Sequence, residues 1–380
     1  MFGAVQFGLL AAGIVLFVPM GMAGWHLSRN KMLFFSCALF ITLAVGVHLT
    51  PFFPSISNFL YKSSLISDSS SPTGATSSSV IRDSCIFSLH SVVMYKSNYN
   101  ECMDDAIDTN SDSSCKKMSW KWKQSESVAE CGFQKLKKPD VSVLLNGSWV
   151  VVAGDSQARL MVVSLLELML GSDGMNKIRG DLFKRHSDYS TTVDEIGMKL
   201  DFKWAPYVRN LTNLMMEFKE NKDYPDVILM GAGLWDMLHV NNASEYGVSL
   251  SALKDSVLSL LPVFRNVDSI DRETSESMWI RSPHLFWLGM PVLINSMLNT
   301  EEKREKMNDV MCNAYDDEVS RTKILRQSGG PLLKLDIRWL TGLCGPRCTM
   351  DGMHYDGVVY DAAVQIVLNA LLLESNQKAR

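Results

Sequence analysis

From about residue 141 onwards, short apolar segments alternate with amphipathic ones, and this alternation constrains the fold more than any other feature of the sequence. Parallel strands need a crossover between them, and such a crossover is usually a helix. The sequence therefore predicts an α/β domain over 141–380, with about five parallel strands between two layers of helices. In a sheet of this kind the ligand site lies at the carboxyl ends of the strands.

The predicted strands are the short apolar segments at 148–153, 200–204, 226–230, 284–289 and 332–336. The predicted helices are the amphipathic segments at 157–170, 207–219, 248–261, 301–327 and 358–373. The fourth of these helices is expected to be long and polar.

Two apolar runs begin the chain, at 3–25 and 32–53, and each is long enough to cross a bilayer as a helix. All 41 acidic residues and all but two of the 37 basic residues lie beyond residue 53. The two exceptions, Arg29 and Lys31, lie in the short linker between the runs, and basic linkers favour the cytosolic side. The sequence therefore predicts a two-helix membrane anchor at 1–53, with the rest of the chain outside the cytosol.

The alternative for this N-terminal segment is a cleaved signal peptide. Residues 1–25 lack a basic beginning, and the second apolar run is too long for an ordinary cleavage region. A retained anchor is therefore the interpretation we favour.

Residues 54–140 are expected to form a stalk and a lead-in to the domain. Nine serines fall within 63–80, which predicts a flexible linker.

Seven of the eight cysteines follow the anchor, and an oxidising compartment would allow disulfides. Seven is an odd number, so at least one thiol is free or pairs between chains. No CxxC or HxxxH spacing supports a metal site. The seven are Cys85, Cys102, Cys115, Cys131, Cys312, Cys344 and Cys348.

Three N-glycosylation sequons, at Asn146, Asn210 and Asn242, agree with a domain in the secretory pathway. The net charge of −4 gives no indication of nucleic-acid binding.

The first candidate reactive residue is Ser156, in a turn of small residues between the predicted strand 148–153 and the following helix. At a helix N-terminus the backbone N–H groups lack intrahelical acceptors and the helix dipole favours negative charge. That position suits a nucleophile whose own amide stabilises an oxyanion. Asp and Ser are also common helix caps, so this motif alone is weak.

The second candidate pair is Asp351 and His354, between the last predicted strand and the last predicted helix. A serine hydroxyl needs a base to take its proton, and the base needs an orienting acid. Asp351 could hold one ring nitrogen of His354 while the other ring nitrogen faces Ser156. A lone D-x-x-H is usually a surface feature, but both motifs fall at the ends of one predicted sheet.

These motifs, in this order, resemble the SGNH/GDSL hydrolase superfamily. More closely the chain resembles its PC-esterase branch, which includes membrane-anchored glycan O-acetyltransferases of the Golgi and the plant trichome-birefringence-like wall enzymes. The resemblance covers about 141–375 and rests on VVAGDSQAR, the segment 231–236 and DGMHYD. It implies an SGNH-like three-layer α/β/α fold. It also implies Ser156 as nucleophile, His354 as base, Asp351 as its partner, and an acyl-serine intermediate.

The chain departs from the family pattern in two places. The superfamily has a Gly-x-Asn-Asp block whose Asn contributes to the oxyanion hole, and the strand end at 230–236 has no Asn. The amides of Ser156 and Gly233 are the remaining candidates for that hole. The longer Trp- and Cys-containing form of the Asp-x-x-His block found in the wall enzymes is also absent, which weighs against a plant-wall assignment.

Three residues are candidates for substrate binding. Arg159, about one helical turn after Ser156, could bind a donor or an acidic sugar, or could pair with a nearby carboxylate. Trp235 could stack on a sugar ring or fill the core, and Asp236 could contact substrate or cap the next element.

The predicted function is a lumenal, membrane-anchored acyl transferase or esterase, most simply an acetyl one, acting on a glycan. No bound cofactor is expected, and acetyl-CoA or another acyl donor would be a co-substrate. With only two predicted spans, nothing in the sequence indicates a route for acyl-CoA across the bilayer, so transfer would need a separate donor transporter or a lumenal donor. The alternative is a non-catalytic glycan-binding or scaffold protein of the same fold. Golgi placement comes from the resemblance alone.

Overall fold

The computed structural model describes residues 84–96, 118–260 and 283–375. All of the described residues belong to one compact unit. The predicted membrane anchor at 1–53 and the Ser-rich stalk at 63–80 lie outside the described residues.

From Val92 onwards, the described residues contain eight strands and ten α-helices, and residues 84–88 are also helical. The strands are β1 (Val92–Lys96), β2 (Met118–Trp122), β3 (Trp149–Gly154), β4 (Tyr189–Val193), β5 (Met198–Trp204), β6 (Val227–Met230), β7 (His284–Leu288) and β8 (Leu333–Leu335). The helices are α1 (Glu126–Glu130), α2 (Lys138–Leu144), α3 (Ser156–Leu182), α4 (Val208–Asn221), α5 (Leu234–His239), α6 (Ala243–Leu258), α7 (Glu301–Lys306), α8 (Asp309–Arg321), α9 (Ile337–Cys344) and α10 (Gly357–Ser375).

The main sheet has six strands in the order β4-β5-β3-β6-β7-β8. Five of them are parallel, which confirms the predicted parallel sheet, and β4 pairs antiparallel with β5 at one edge. The sequence did not predict β4. Its segment, Tyr-Ser-Thr-Thr-Val, has no apolar run, because alternate side chains of this strand lie on a face that is exposed to water.

Helices cover both faces of this sheet, as the three-layer prediction requires. Alternate residues of a strand point to opposite faces. Val150 and Val152 of β3 accordingly join one core cluster, which includes residues of α3 and α10. Val151 and Ala153 join the other, which includes residues of α4, α6 and α8.

The prediction of one long helix over 301–327 is wrong. The segment forms α7, α8 and a 3₁₀ turn at Arg326–Ser328. Met307 ends α7 with φ −102° and ψ 56°, and the Asn308 side chain accepts from the Met311 amide at 3.0 Å to begin α8. An Asn cap inside a polar run is a local hydrogen bond that periodicity does not reveal.

The lead-in residues after 117 pack directly on α10. Trp120 Nε1 donates to Asp361 at 2.6 Å. The side chain of Gln365 bonds both to the amide of Leu136, at 2.7 Å, and to its carbonyl, at 2.8 Å. These buried contacts tie β2 and the following segment to the last helix of the domain.

Two disulfides occur within the described ranges, Cys85–Cys131 and Cys344–Cys348. Cys312 is a buried free thiol, and Cys102 and Cys115 lie outside the described residues. Of the helices in the described part of the chain, α10 is the one long and apolar enough to span a membrane. Its apolar window is 67% buried inside the domain, as in a core helix.

Candidate active site

Ser156 lies at the junction between β3 and α3. The strand ends at Gly154, and Asp155 caps the helix by accepting a hydrogen bond from the Gln157 amide at 2.9 Å. Gly154 has φ +157°, and a Cβ there would lie 2.5 Å from the carbonyl oxygen of Gly231. Only glycine allows β3 and β6 to end so close together, and this turn presents Ser156 at the carboxyl edge of the sheet.

The three predicted catalytic side chains form one hydrogen-bonded chain. Ser156 Oγ lies 2.7 Å from His354 Nε2, and His354 Nδ1 lies 2.6 Å from Asp351 Oδ2. Ser156 and His354 are 198 residues apart in the sequence, so the fold alone brings them together. This is the geometry of a nucleophile, a base and a group that orients the base.

The loop that carries Asp351 also fixes the carboxylate. Asp351 Oδ1 accepts from the amides of Met353, at 2.9 Å, and His354, at 2.8 Å. Partial burial alone would raise the pKa of Asp351, but the His354 side chain and these two amides lower it below its ordinary value. The carboxylate therefore stays ionised and can accept a hydrogen bond from the Nδ1–H group of His354. The other ring nitrogen, Nε2, is then free to accept a hydrogen bond from the Ser156 hydroxyl.

The site occupies the position that the sheet order predicts. From β3 the chain passes to β5 on one side and later returns to β6 on the other side. Connections that leave in opposite directions open a crevice at the ends of β3 and β6, which is where parallel sheets bind ligands. Ser156 follows β3 and Gly233 follows β6 at this crevice.

The two oxyanion candidates both lie at helix starts. Ser156 is the first residue of α3, and Gly233 is the N-cap of α5. Amides at these positions lack intrahelical acceptors. Gly233 has φ +142°, and a Cβ there would lie 2.7 Å from Met290 Sδ, so the position requires glycine.

Arg159 has no carboxylate partner among the described residues, in contrast to the pairing we considered from sequence. Its Nη1 donates to the carbonyl oxygen of Lys184 at 2.8 Å and its Nη2 to that of Ser187 at 3.2 Å. The guanidinium also lies over the rings of Phe202 and Trp204, at 4.9 and 5.3 Å from their centroids. Only 6% of the residue is exposed, and its burial lowers the pKa of the guanidinium.

Trp235 lines the cleft next to Ser156, whereas Asp236 is buried and is not among the residues that line the cleft. The Asp236 carboxylate accepts from the Val208 amide at 3.3 Å, so it caps the start of the earlier helix α4 and not the next element, as the capping alternative had it. Burial raises the pKa of Asp236 to about 6, and that of Asp155 likewise to about 6.

Sequence reasoning missed two residues of this site. Gln157 bonds to the backbone of Met353, beside the base. His186 lines the cleft and stacks on Trp204 with ring centroids 4.8 Å apart. Neither has a sequence signal, because each works through a partner that only the fold brings near.

The three sequon asparagines differ in their surroundings. Asn146 and Asn242 are exposed, and the Asn242 side chain caps α6 by accepting from the Glu245 amide at 3.2 Å. Asn210 is half-buried and accepts from the Tyr207 amide at 3.2 Å in the first turn of α4.

No protein-family model matches the chain. Among curated proteins it is similar to Protein ALTERED XYLOGLUCAN 9 of Arabidopsis thaliana, with 55% identity over 393 residues covering 99% of this chain and 100% of the relative. The chain belongs to the family of ALTERED XYLOGLUCAN 9. That relative is a plant protein of the PC-esterase branch, so the predicted resemblance is confirmed at that level. The missing Trp- and Cys-containing block therefore does not separate this chain from plant members.

Solved structures give weaker likenesses. The catalytic mutant of Axe2, an acetylxylan esterase from Geobacillus stearothermophilus, is 13% identical with a TM-score of 0.35, covering 63% of this chain and 96% of that one. TesA is 15% identical with a TM-score of 0.32, covering 59% and 97%. These TM-scores are too low for either likeness to bear on the fold or the activity of this chain.

Proposed function

We propose that this protein transfers or removes an acyl group, most simply acetyl, on a glycan through an acyl-serine at Ser156. The observation that carries the proposal is the hydrogen-bonded chain from Ser156 through His354 to Asp351, at the crevice between the ends of β3 and β6. The glycan class is supported by the name of the Arabidopsis thaliana relative, which refers to xyloglucan.

In the first half-reaction, Ser156 Oγ attacks the acyl carbonyl carbon while His354 Nε2 takes the hydroxyl proton. The amides of Ser156 and Gly233 are the proposed donors to the oxyanion that forms. As the tetrahedral intermediate collapses, the bond to the leaving group breaks and His354 gives that group its proton. Asp351 stabilises the imidazolium throughout.

In the second half-reaction, His354 Nε2 removes a proton from a glycan hydroxyl or from water. That oxygen attacks the acyl-serine, and His354 returns the proton to Ser156 Oγ. Transfer and hydrolysis therefore use the same residues, and they differ in the acceptor that reaches the acyl-enzyme.

The proposal includes a membrane anchor at 1–53, a lumenal domain glycosylated at Asn146, Asn210 and Asn242, and Golgi placement. Its support is the pattern of apolar runs, the sequons, and the two disulfides, which an oxidising compartment allows to persist. A donor transporter in the same membrane is the expected partner if the enzyme is a transferase.

The test uses the full-length, detergent-solubilised protein and an activated acetyl ester. Intact mass should show an adduct of about 42 Da on wild type, mapping to Ser156 and lost in Ser156→Ala and His354→Ala. Ser164→Ala is the matched control, because Ser164 is a buried hydroxyl on the same helix outside the triad. A folded wild type without adduct or turnover would instead support the non-catalytic glycan-binding function.

A further inference from the structure

A second pocket lies in the lead-in, before the α/β domain begins. Its volume is about 400 Å³, and its lining falls entirely within residues 122–133, from the end of β2 to just after α1. We name it the Trp122 pocket. None of its lining residues lines the cleft at Ser156. The pocket therefore belongs to a part of the chain that precedes the hydrolase-like segment.

Two aromatic rings form one side of the Trp122 pocket. Trp122 and Phe133 lie with their centroids 4.9 Å apart and their planes tilted by 36°, and both side chains are half-buried. The buried Trp120 meets Trp122 edge to face, with centroids 5.6 Å apart. Partly exposed rings of this kind offer an apolar surface on which the C–H groups of a sugar ring can pack.

The rest of the pocket is polar and has unused hydrogen-bonding groups. Lys123, Gln124 and Glu126 line it and are exposed. The side chains of Gln124 and Glu126 make no hydrogen bond or ion pair within the described part of the chain, and the buried Trp122 Nε1 has no acceptor there. An amide, a carboxylate and an indole N–H together can donate to and accept from hydroxyl groups. The opposite charges of Lys123 and Glu126 favour a neutral ligand.

The lining segment is held at both ends. The Lys123 amide donates to the carbonyl oxygen of Ser91 at 2.8 Å, and the Lys123 ammonium lies 5.7 Å from the centroid of the Trp339 ring. At the other end, Cys131 forms a disulfide with Cys85. These restraints exist without a ligand, so binding at the pocket would cost little ordering of the chain.

The lead-in contacts the two helices on either side of the catalytic loop. It meets α9 through Lys123 and Trp339, and it meets α10 through the hydrogen bond from Trp120 to Asp361. The loop that carries Asp351 joins these same two helices. A glycan polymer repeats its sugar units, so one chain can supply a ligand to the pocket and an acceptor to the cleft. Binding at the first site raises the local concentration of the polymer at the second.

We infer that the Trp122 pocket binds a sugar unit of a neutral glycan chain and so holds the polymer on the protein, separately from the cleft at Ser156. Trp122 and Phe133 contact the C–H face of the sugar ring, and Gln124 and Glu126 bond to its hydroxyl groups. The inference rests on the proposed function for the choice of a glycan as ligand. It does not depend on the chemistry at Ser156.

The test measures binding of a xyloglucan oligosaccharide by isothermal titration calorimetry. The full-length protein is solubilised in a detergent without a sugar headgroup, which would otherwise compete. Trp122→Ala should weaken binding by at least about 10-fold. Gln124→Ala/Glu126→Ala should weaken it by about 10-fold. This double variant changes exposed, unpaired side chains, so it should unfold at the same temperature as wild type and keeps the test decisive if Trp122→Ala folds poorly.

Glu130→Ala/Gln134→Ala is the matched control. It removes the same two residue types from the same segment, and both positions are exposed and outside the pocket lining. We expect it to bind the oligosaccharide as wild type does. All of these variants should form the acetyl-serine at Ser156 from a small activated ester at the wild-type rate, because that ester needs only the cleft.

The two proposals fail in different ways. If wild type does not bind the oligosaccharide, or if the pocket variants bind it as tightly as wild type, the inference is overturned while the acyl-serine function stands. If the pocket variants change self-association in light scattering and leave glycan affinity unaltered, the pocket is an interface between copies, and the inference is again overturned. If the oligosaccharide binds at the pocket but Ser156 is never acylated, the inference stands and the acyl-serine function falls.

Discussion

Gln157 donates a hydrogen bond from Nε2 to the carbonyl oxygen of Met353 at 3.1 Å. The residue that follows Ser156 is therefore bonded to the residue that precedes His354. The Tyr360 hydroxyl donates to Gln157 Oε1 at 2.6 Å, on the other end of the same amide. These contacts are buried, and they join the start of α3 to the loop that carries His354. The separation between Ser156 and His354 therefore depends on a side chain that does not itself react.

Gln157→Met tests this role. The variant keeps the volume but loses the bond to Met353, and we expect acylation of Ser156 to slow by about 10- to 100-fold. Tyr360→Phe is the control, since it also leaves a buried polar group unpaired, at a similar cost of about 1–3 kcal/mol, but keeps the bond from Gln157 to Met353. Acylation rates would be measured beside thermal unfolding, and equal rates in the two variants would contradict the positioning role.

Asp351→Asn tests the orientation of the base. The Asn oxygen can still accept from the Met353 and His354 amides, but its NH₂ group would face His354 Nδ1. The imidazole would then carry its proton on Nε2 and could not accept from Ser156. We expect kcat/KM for an acetyl ester to fall by about 10²- to 10⁴-fold with little change in the unfolding temperature. A loss below about 3-fold would mean that Asp351 does not set the tautomer.

The sequence was sufficient to predict that Ser156, Asp351 and His354 lie together and that the sheet is parallel, because both follow from local patterns and from the order of the motifs. A buried strand, a small-residue turn and a helix start place Ser156, and the spacing of Asp351 and His354 puts them in one loop. The role of Arg159 was not predictable, since its partners are backbone carbonyls that every residue carries. The packing of Gln365 on Leu136 was hidden for the same reason.

A buried cluster at the opposite end of the sheet should control stability. Glu374 of α10 pairs with His284, at the start of β7, and with Arg326. Burial alone would raise the pKa of Glu374, but the hydrogen bond from His284 and the charge of Arg326 lower it to about 2. A lowered carboxyl pKa stabilises the fold above the ordinary value of about 4.5, and this contribution is lost as the pH falls towards 2.

Glu374→Gln should therefore reduce the free energy of unfolding by about 3–5 kcal/mol at pH 7, because it removes the carboxylate that pairs with Arg326 and accepts from His284. The gap to wild type should narrow below pH 4.5, as followed by urea unfolding. Glu302→Gln is the control, since its pair with Lys306 is exposed to solvent and should contribute little to stability. A constant gap across this pH range would contradict the assignment.

His90 should make the domain sensitive to mild acid. Its Nε2 accepts a hydrogen bond from the Asp336 amide at 3.0 Å, which requires that nitrogen to be unprotonated. Burial lowers the pKa of His90 to about 4, and the nearby Lys334 acts in the same direction against the opposing effect of Asp336. The unfolded chain binds this proton near pH 6.5 and the folded chain near pH 4, so stability should fall as the pH decreases between these values.

His90→Gln should remove much of that dependence, because the Gln oxygen can accept from the Asp336 amide and does not titrate. Between pH 6.5 and 5 the wild type should lose stability more steeply than the variant, by up to about 1.4 kcal/mol per pH unit. Urea unfolding at several pH values measures the difference in slope. His239→Gln is the control, since His239 is exposed. If His90→Gln and wild type show the same slope, protonation of His90 does not govern the acid sensitivity of the fold.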